Sequence, residues 1–165
     1  MQDEEWLSRR YYGGDLPIEA ERALHEAALD FSNESLAEQH VHRALQLAPG
    51  HLAVLIGAYK FYFYHHRLTE ALPYAEACLA EAGRRLALPA DWRAVRPSQA
   101  DFASLEGWPR LFLFSLVALG YLLLRLGRVA EGEEALTQVV ALDPGDRLGA
   151  RALLTVVHGA GSDDD

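Results

Sequence analysis

Hydrophobic and polar positions recur along this chain with a helical period. Ala20, Ala23, Leu24, Ala27 and Ala28 fall on one stripe and predict a helix over about 17–30. Asp15 stands ahead of it as a candidate cap, with Pro17 in the first turn. Phe31-Ser32-Asn33 breaks the stripe. Ser32 or Asn33 then caps a second helix that stops at Ala48-Pro49-Gly50. A third helix covers about 51–65 and holds the run Tyr59-Lys60-Phe61-Tyr62-Phe63-Tyr64, whose rings point in all directions around a helix. A fourth is capped by Thr69, takes Pro73 in its opening turn and ends at Gly83.

Residues 86–110 read differently. Pro89, Pro97 and Pro109, with Trp92 and Trp108, interrupt any long period, so this stretch is an insertion with one or two short helices, one from Ser98 to Leu105. An apolar helix over 110–126 follows, then a turn at Gly127-Arg128, a helix to Leu142, the stop Asp143-Pro144-Gly145 and a last helix over about 146–158. Residues 1–16 read as a polar, aromatic loop ending in Tyr11-Tyr12-Gly13-Gly14-Asp15, and 159–165 as a disordered tail.

Composition sharpens this into an all-α chain. The 165 residues include 28 Leu and 26 Ala, while Val, Ile and Thr together number 14, too few for a sandwich or a buried parallel sheet. A mass of 18.3 kDa fits one domain or one short repeat array. The net charge of −9 argues against nucleic acid and anionic membranes as partners. The apolar run Leu111 to Leu124 is fourteen residues, about 21 Å as helix and short of a membrane span, so it reads as a buried helix. The acidic start Met1 to Trp6 is unlike a signal peptide and points to the cytoplasm. An Ala/Leu/Arg-rich chain whose single lysine is Lys60 fits a high-GC bacterial genome.

Candidate chemistry adds little. His40 and His42 are two apart and diverge on a helix, as do the adjacent His65 and His66. His25-Glu-Ala-Ala-Leu29 begins like a zinc-protease motif but has Leu29 where the second histidine belongs. Cys78 alone supports neither an internal disulfide nor a multi-cysteine metal site, and reads as a buried packing residue. No nucleophile elbow, phosphate loop or dinucleotide fingerprint is present. The expectation is a non-enzyme without metal or cofactor.

Self-comparison gives the organising feature. Ala44-Leu45-Gln46-Leu47-Ala48-Pro49-Gly50 mirrors Val139-Val140-Ala141-Leu142-Asp143-Pro144-Gly145. Stepping back 34 residues defines blocks 18–51, 52–85 and 113–146, each a helix pair, with 86–112 inserted. The third block has Leu119-Gly120, a turn at Gly127 and Pro144; the second has Tyr62, Ala71 and Cys78; the first has Leu24, Ala37, Ala44 and Pro49. On these residues the chain resembles the tetratricopeptide repeat (TPR) family. Departures are His25 and Tyr59 after the leucine position, Gly132 for an alanine and Gly83 for a proline. The resemblance implies a right-handed stack of antiparallel helix pairs over 1–158, closed by the last helix.

The resemblance also implies a concave groove lined by the first helix of each pair. Its positions fall on Glu19, Arg22, Glu26, Leu29 and Asp30; on Ala53, Ile56, Lys60, Phe63 and Tyr64; and on Phe114, Val117, Tyr121, Leu124 and Arg125. The expected peptide site is Ile56, Lys60, Phe63 and Tyr64 with Phe114, Val117, Tyr121 and Arg125. The carboxylate clamp of chaperone-binding members is missing, since Arg22, Glu26, Gly57, Phe114 and Ala118 hold those positions. The reading is an adaptor or partner-specific chaperone for an apolar or amphipathic protein segment with acidic flanks. The alternatives are self-association through the same surface, cover of the groove by residues 86–110, and an enzyme built in the groove.

Overall fold

In the computed structural model of the chain, residues 15–104 and 106–163 are described, and they hold seven α-helices and no strand. The predicted loop over 1–16 lies outside the described residues up to position 14. The chain divides into two compact units, Met1–Cys78 and Leu79–Asp165.

The first unit contains α1 (Ile18–Leu29), α2 (Glu34–Leu47), α3 (Leu52–Tyr64) and the start of α4 (Leu68–Arg85). The stripe of α1 is buried as its period requires, with Ala20, Ala23, Leu24 and Ala27 inward. Pro17, not Asp15, is the residue before the helix. Asp15 lies too far upstream to reach the first free amides, and its carboxylate instead faces Nε2 of His51 at 3.0 Å. Asn33 caps α2 as expected, its Oδ1 accepting the Leu36 N–H at 3.3 Å. Helices α1, α2 and α3 pack on one another around Ala20, Ala23, Leu24, Ala44, Ala48 and Val54. Gly57 makes the approach possible, because a Cβ there would stand 2.8 Å from Cδ2 of Leu24.

α4 opens at Leu68, one residue before the expected cap, so Pro73 lies inside the helix rather than in its first turn. It also passes Gly83. The Leu88 N–H returns to the Gly83 carbonyl at 2.9 Å and the Ala87 N–H to the Arg84 carbonyl at 3.1 Å, around Ala87 at φ 55°. Gly83 therefore lies in the last turn, and the reversal falls on an alanine.

The second unit contains the end of α4, one-turn 3₁₀ segments at Trp92–Ala94 and Pro97–Gln99, α5 (Gly107–Arg125), α6 (Val129–Leu142) and α7 (Ala150–Asp163). Over its described residues, the expected helix from Ser98 to Leu105 is reduced to the Pro97–Gln99 turn, and Leu105 lies outside the described residues. α5 packs on α6, and α6 on α7. Two glycines set the α5–α6 crossing: a Cβ on Gly132 would lie 2.8 Å from the Gly120 carbonyl oxygen, so backbone meets backbone. Thus Gly132, a departure from the repeat pattern, fits the closest contact in its helix pair. α5 extends to 19 residues and is long and apolar enough to cross a membrane by length and composition, but 56% of its most apolar window is buried in the protein.

α7 starts at residue 150 rather than 146. Asp146 (φ 48°) and Gly149 (φ 74°) take left-handed conformations, and Asp143 and Asp146 accept the Leu148 and Arg151 amides, both at 3.2 Å. The helix then runs through Gly159 to Asp163, into the segment expected to be a disordered tail, because extending an existing helix costs less than starting one. Asp164 and Asp165 lie outside the described residues.

Candidate functional site

The eight expected site residues divide four and four between the units, on α3 and on α5. In the first unit α3 is apolar on nearly every side. Leu52, Val54, Leu55, Gly57, Ala58, Phe61 and Tyr62 are buried, and so is Ile56 at 4% exposure. Ile56 is thus part of the packed interior, whereas Lys60 and Phe63 are half-buried and Tyr64 is 49% exposed. Phe63 stacks on Tyr59 with ring centres 5.6 Å apart and meets Tyr64 edge-on at 5.3 Å. The structure therefore brings Phe63 and Tyr64 together with Tyr59 as a row of rings.

In the second unit the pattern on α5 is sharper. Leu111, Phe112, Leu113, Ser115, Leu116, Ala118, Leu119, Gly120, Leu122 and Leu123 are all buried. Between them runs one line that is not buried away: half-buried Val117, Tyr121 and Leu124 lie between exposed Phe114 and exposed Arg125. These are the five positions that the repeat register assigned to a binding face. Phe114 is 42% exposed. At the far end Arg125 donates to the Tyr121 hydroxyl at 2.6 Å, its guanidinium 5.6 Å from the ring centre. Solvent-facing lines of helices are ordinarily polar; this one carries no charge before Arg125.

The insertion makes its described ties elsewhere in this unit. Gln138 on α6 donates to the carbonyls of Trp92 at 3.0 Å and Val95 at 2.7 Å, and Arg93 pairs with Glu134 one turn earlier on α6. Arg147 donates to the Ala103 carbonyl at 2.6 Å. Phe102 is buried and meets Phe112, on the inward side of α5, with ring centres 6.0 Å apart. Residues 92–103 of the insertion are thus tied along α6 and, through Phe102, to the buried side of α5, whereas Trp108 and Pro109 belong to the first turn of α5 itself.

A polar cluster in the first unit was not visible in the sequence. Arg67 forks onto both oxygens of Glu38, at 2.8 and 2.9 Å, and onto Glu70 at 2.8 and 2.7 Å. The Tyr62 hydroxyl donates to Glu38 at 2.9 Å and lies 3.0 Å from Nε2 of His42. Tyr62 also stacks on Tyr74, with centres 5.7 Å apart, and Arg67 lies over its ring at 4.8 Å. The Arg67 hydrogen bonds hold the Glu38 carboxyl below its usual range. Burial first, and the bond to Glu38 second, push the Tyr62 hydroxyl up. The cluster ties α2 to the α3–α4 junction, with the Glu38 carboxylate paired to Arg67.

The histidines disperse as their spacing requires. His40 sits between Glu26 at 3.3 Å and Asp30 at 3.2 Å, while His42 turns to Tyr62 and Glu38. His65, at the end of α3, faces the carbonyls of Phe61 at 2.9 Å and Phe31 at 3.1 Å. Among the described residues no three His, Cys, Asp or Glu side chains converge on a metal position. Cys78 is buried, and burial pushes its thiol up to about 12, far from a reactive thiolate.

The chain is 43% identical over 145 residues to an uncharacterized 19.8 kDa protein in the nifW 5′ region of Azotobacter chroococcum mcd 1, a match covering 87% of this chain and 81% of that protein. No family model and no solved structure matches it.

Proposed function

We propose, on the premise that this chain and the 19.8 kDa Azotobacter protein belong to one family, that it is a non-catalytic protein-interaction module. It acts as an adaptor or partner-specific chaperone, in the cytoplasm, and holds an apolar or amphipathic segment of another protein on the first helices of its pairs. A TPR-like order of helix pairs is part of this proposal. The 34-residue period supports it, as do the buried small residues Ala37, Ala44, Ala71 and Cys78 and the close glycine crossing of α5 on α6.

The observation that carries the reading is the unburied line on α5. From Leu111 onward the helix is buried on its other sides, and its remaining side carries exposed Phe114 and half-buried Val117, Tyr121 and Leu124 where polar residues would be expected. Aromatic side chains at such positions supply large contact area at low entropic cost. On α3, Phe63 and Tyr64 beside Lys60 provide the same chemistry.

Affinity capture from the native cell with wild type and with the Phe114→Ala/Tyr121→Ala variant, in parallel, tests the reading. The expected result is a protein retained by wild type and lost by a variant that melts like wild type. The nifW product of Azotobacter chroococcum mcd 1, whose gene region also encodes the relative, is a candidate to assay directly against this chain. Captured partners indifferent to both substitutions contradict the proposal.

A further inference from the structure

We infer that the α5 line recognises a short amphipathic segment of another protein that carries carboxylates, with Arg125 as the charge-reading residue. The inference rests on the interaction-module reading and names the partner's chemistry. α5 is a cationic element in an acidic chain: its only charged residues are Arg110 and Arg125, whereas the chain as a whole stands at −9. Arg125 is exposed at the end of the line, and its bond to the Tyr121 hydroxyl fixes the guanidinium beside the apolar strip. A guanidinium held this way retains donors for a carboxylate. Apolar side chains of a partner would lie on Phe114, Val117 and Leu124, and its acidic residue would meet Arg125.

Size selects the occupant. From Phe114 to Arg125 the line rises about 16 Å and is one helix wide, about 10 Å. A stable dimer needs on the order of 800 Å² per partner. This strip is several times too small for a second copy but suits three turns of an amphipathic helix.

The test uses the full chain and two pools of labelled 16-residue peptides. The pools share their Leu, Ile and Phe positions and differ only in carrying Glu or Lys at the polar ones. Binding is read by fluorescence anisotropy at low salt. A chain of net −9 repels acidic peptides at long range, so preference for the Glu pool reports the local site. The expected result is tighter binding of the Glu pool by about threefold or more, erased or reversed by Arg125→Glu. Tyr121→Ala should weaken it by about tenfold or more. Equal binding of both pools, still lost in Tyr121→Ala, overturns the charge inference and leaves the interaction surface standing. Binding of neither pool, or binding indifferent to Phe114→Ala and Tyr121→Ala, overturns both. Dimerisation of the free chain abolished by Phe114→Asp replaces the proposed peptide with a second copy.

Discussion

The two units differ in how their central helices meet, although the second also carries polar ties of its own, from Gln138, Arg93 and Arg147 to the insertion and from His158 to Glu133. In the first, small residues allow helices to meet, but the ties beyond the core are ionic and polar. Arg67 bridges Glu38 and Glu70, His40 sits between Glu26 and Asp30, and His51 faces Asp15. In the second, α5 and α6 meet backbone to backbone at Gly120 and Gly132, and Leu136, Val139 and Leu142 fill the space beside them. Contacts of the first kind respond to pH and salt. Those of the second respond to volume. On the proposed reading, the α5 line needs a rigid helix behind it, and the close backbone crossing at Gly120 and Gly132 is the feature that would supply it.

The sharpest way to break the comparison is to add one methyl group to each crossing. Gly132→Ala drives a Cβ to within 2.8 Å of a backbone carbonyl, which cannot rotate away. Overpacking of this kind costs about 1–3 kcal/mol, which exceeds the helix-propensity gain of about 1 kcal/mol. Gly57→Ala meets the end of the Leu24 side chain at the same 2.8 Å, and that group can turn aside. Urea midpoints should fall clearly for Gly132→Ala and change little for Gly57→Ala. Equal losses would show that the two crossings are alike.

Acid is the next lever. The Glu38 carboxyl is held low by Arg67, so its contribution is present above the ordinary carboxylate value and lost as pH falls through the lowered one. Glu81 is also held low, chiefly by Arg84, but its bonds to Arg84 and Arg85 stay within one helix. Glu38→Gln should therefore flatten the fall in stability between neutral and acid pH more than Glu81→Gln does. Unfolding curves at several pH values for the three chains decide it.

The smallest expected effect lies in the turns that end α3 and α5. Both close in the same way, with the Arg67 N–H returning to Tyr62 and the Arg128 N–H to Leu123, each at 2.8 Å. The left-handed residue is His66 (φ 59°) in one and Gly127 (φ 84°) in the other. Relief of strain should make His66→Gly stabilising, and Gly127→Ala should be destabilising, each by about 1 kcal/mol or less. Thermal melts check the pair.

What was legible in the sequence followed from period. The stripe of α1 and the cap at Asn33 could be read because a helix repeats every few residues and a side-chain cap stands just ahead of its first turn, whereas the α5 positions came from the repeat resemblance. Ile56 shows the limit: its register is right, but α3 is apolar on nearly all sides, so period could not tell its buried face from its open one. The Glu38–Arg67 tie was hidden because its partners are 29 residues apart, and the Gln138 anchor because it reaches 43 and 46 residues back into the insertion. The end of α3 fell where expected, but that of α4 was placed at Gly83, two residues early, because the stop conformation is taken by Ala87, where glycine would have signalled it.

Two phenylalanines two residues apart on α5 give the most direct test of the claim that its unburied line serves a partner and not the fold. Phe112 is 2% exposed and Phe114 42%. Phe112→Ala and Phe114→Ala should be compared in the full chain by urea unfolding, with binding of the Glu-bearing peptides measured on the same samples. Phe112→Ala should cost about 3–5 kcal/mol of stability, whereas Phe114→Ala should cost about 1 kcal/mol or less and still weaken peptide binding severalfold. A Phe114→Ala loss of stability as large as that of Phe112→Ala, with binding unchanged in the folded protein, would contradict the account.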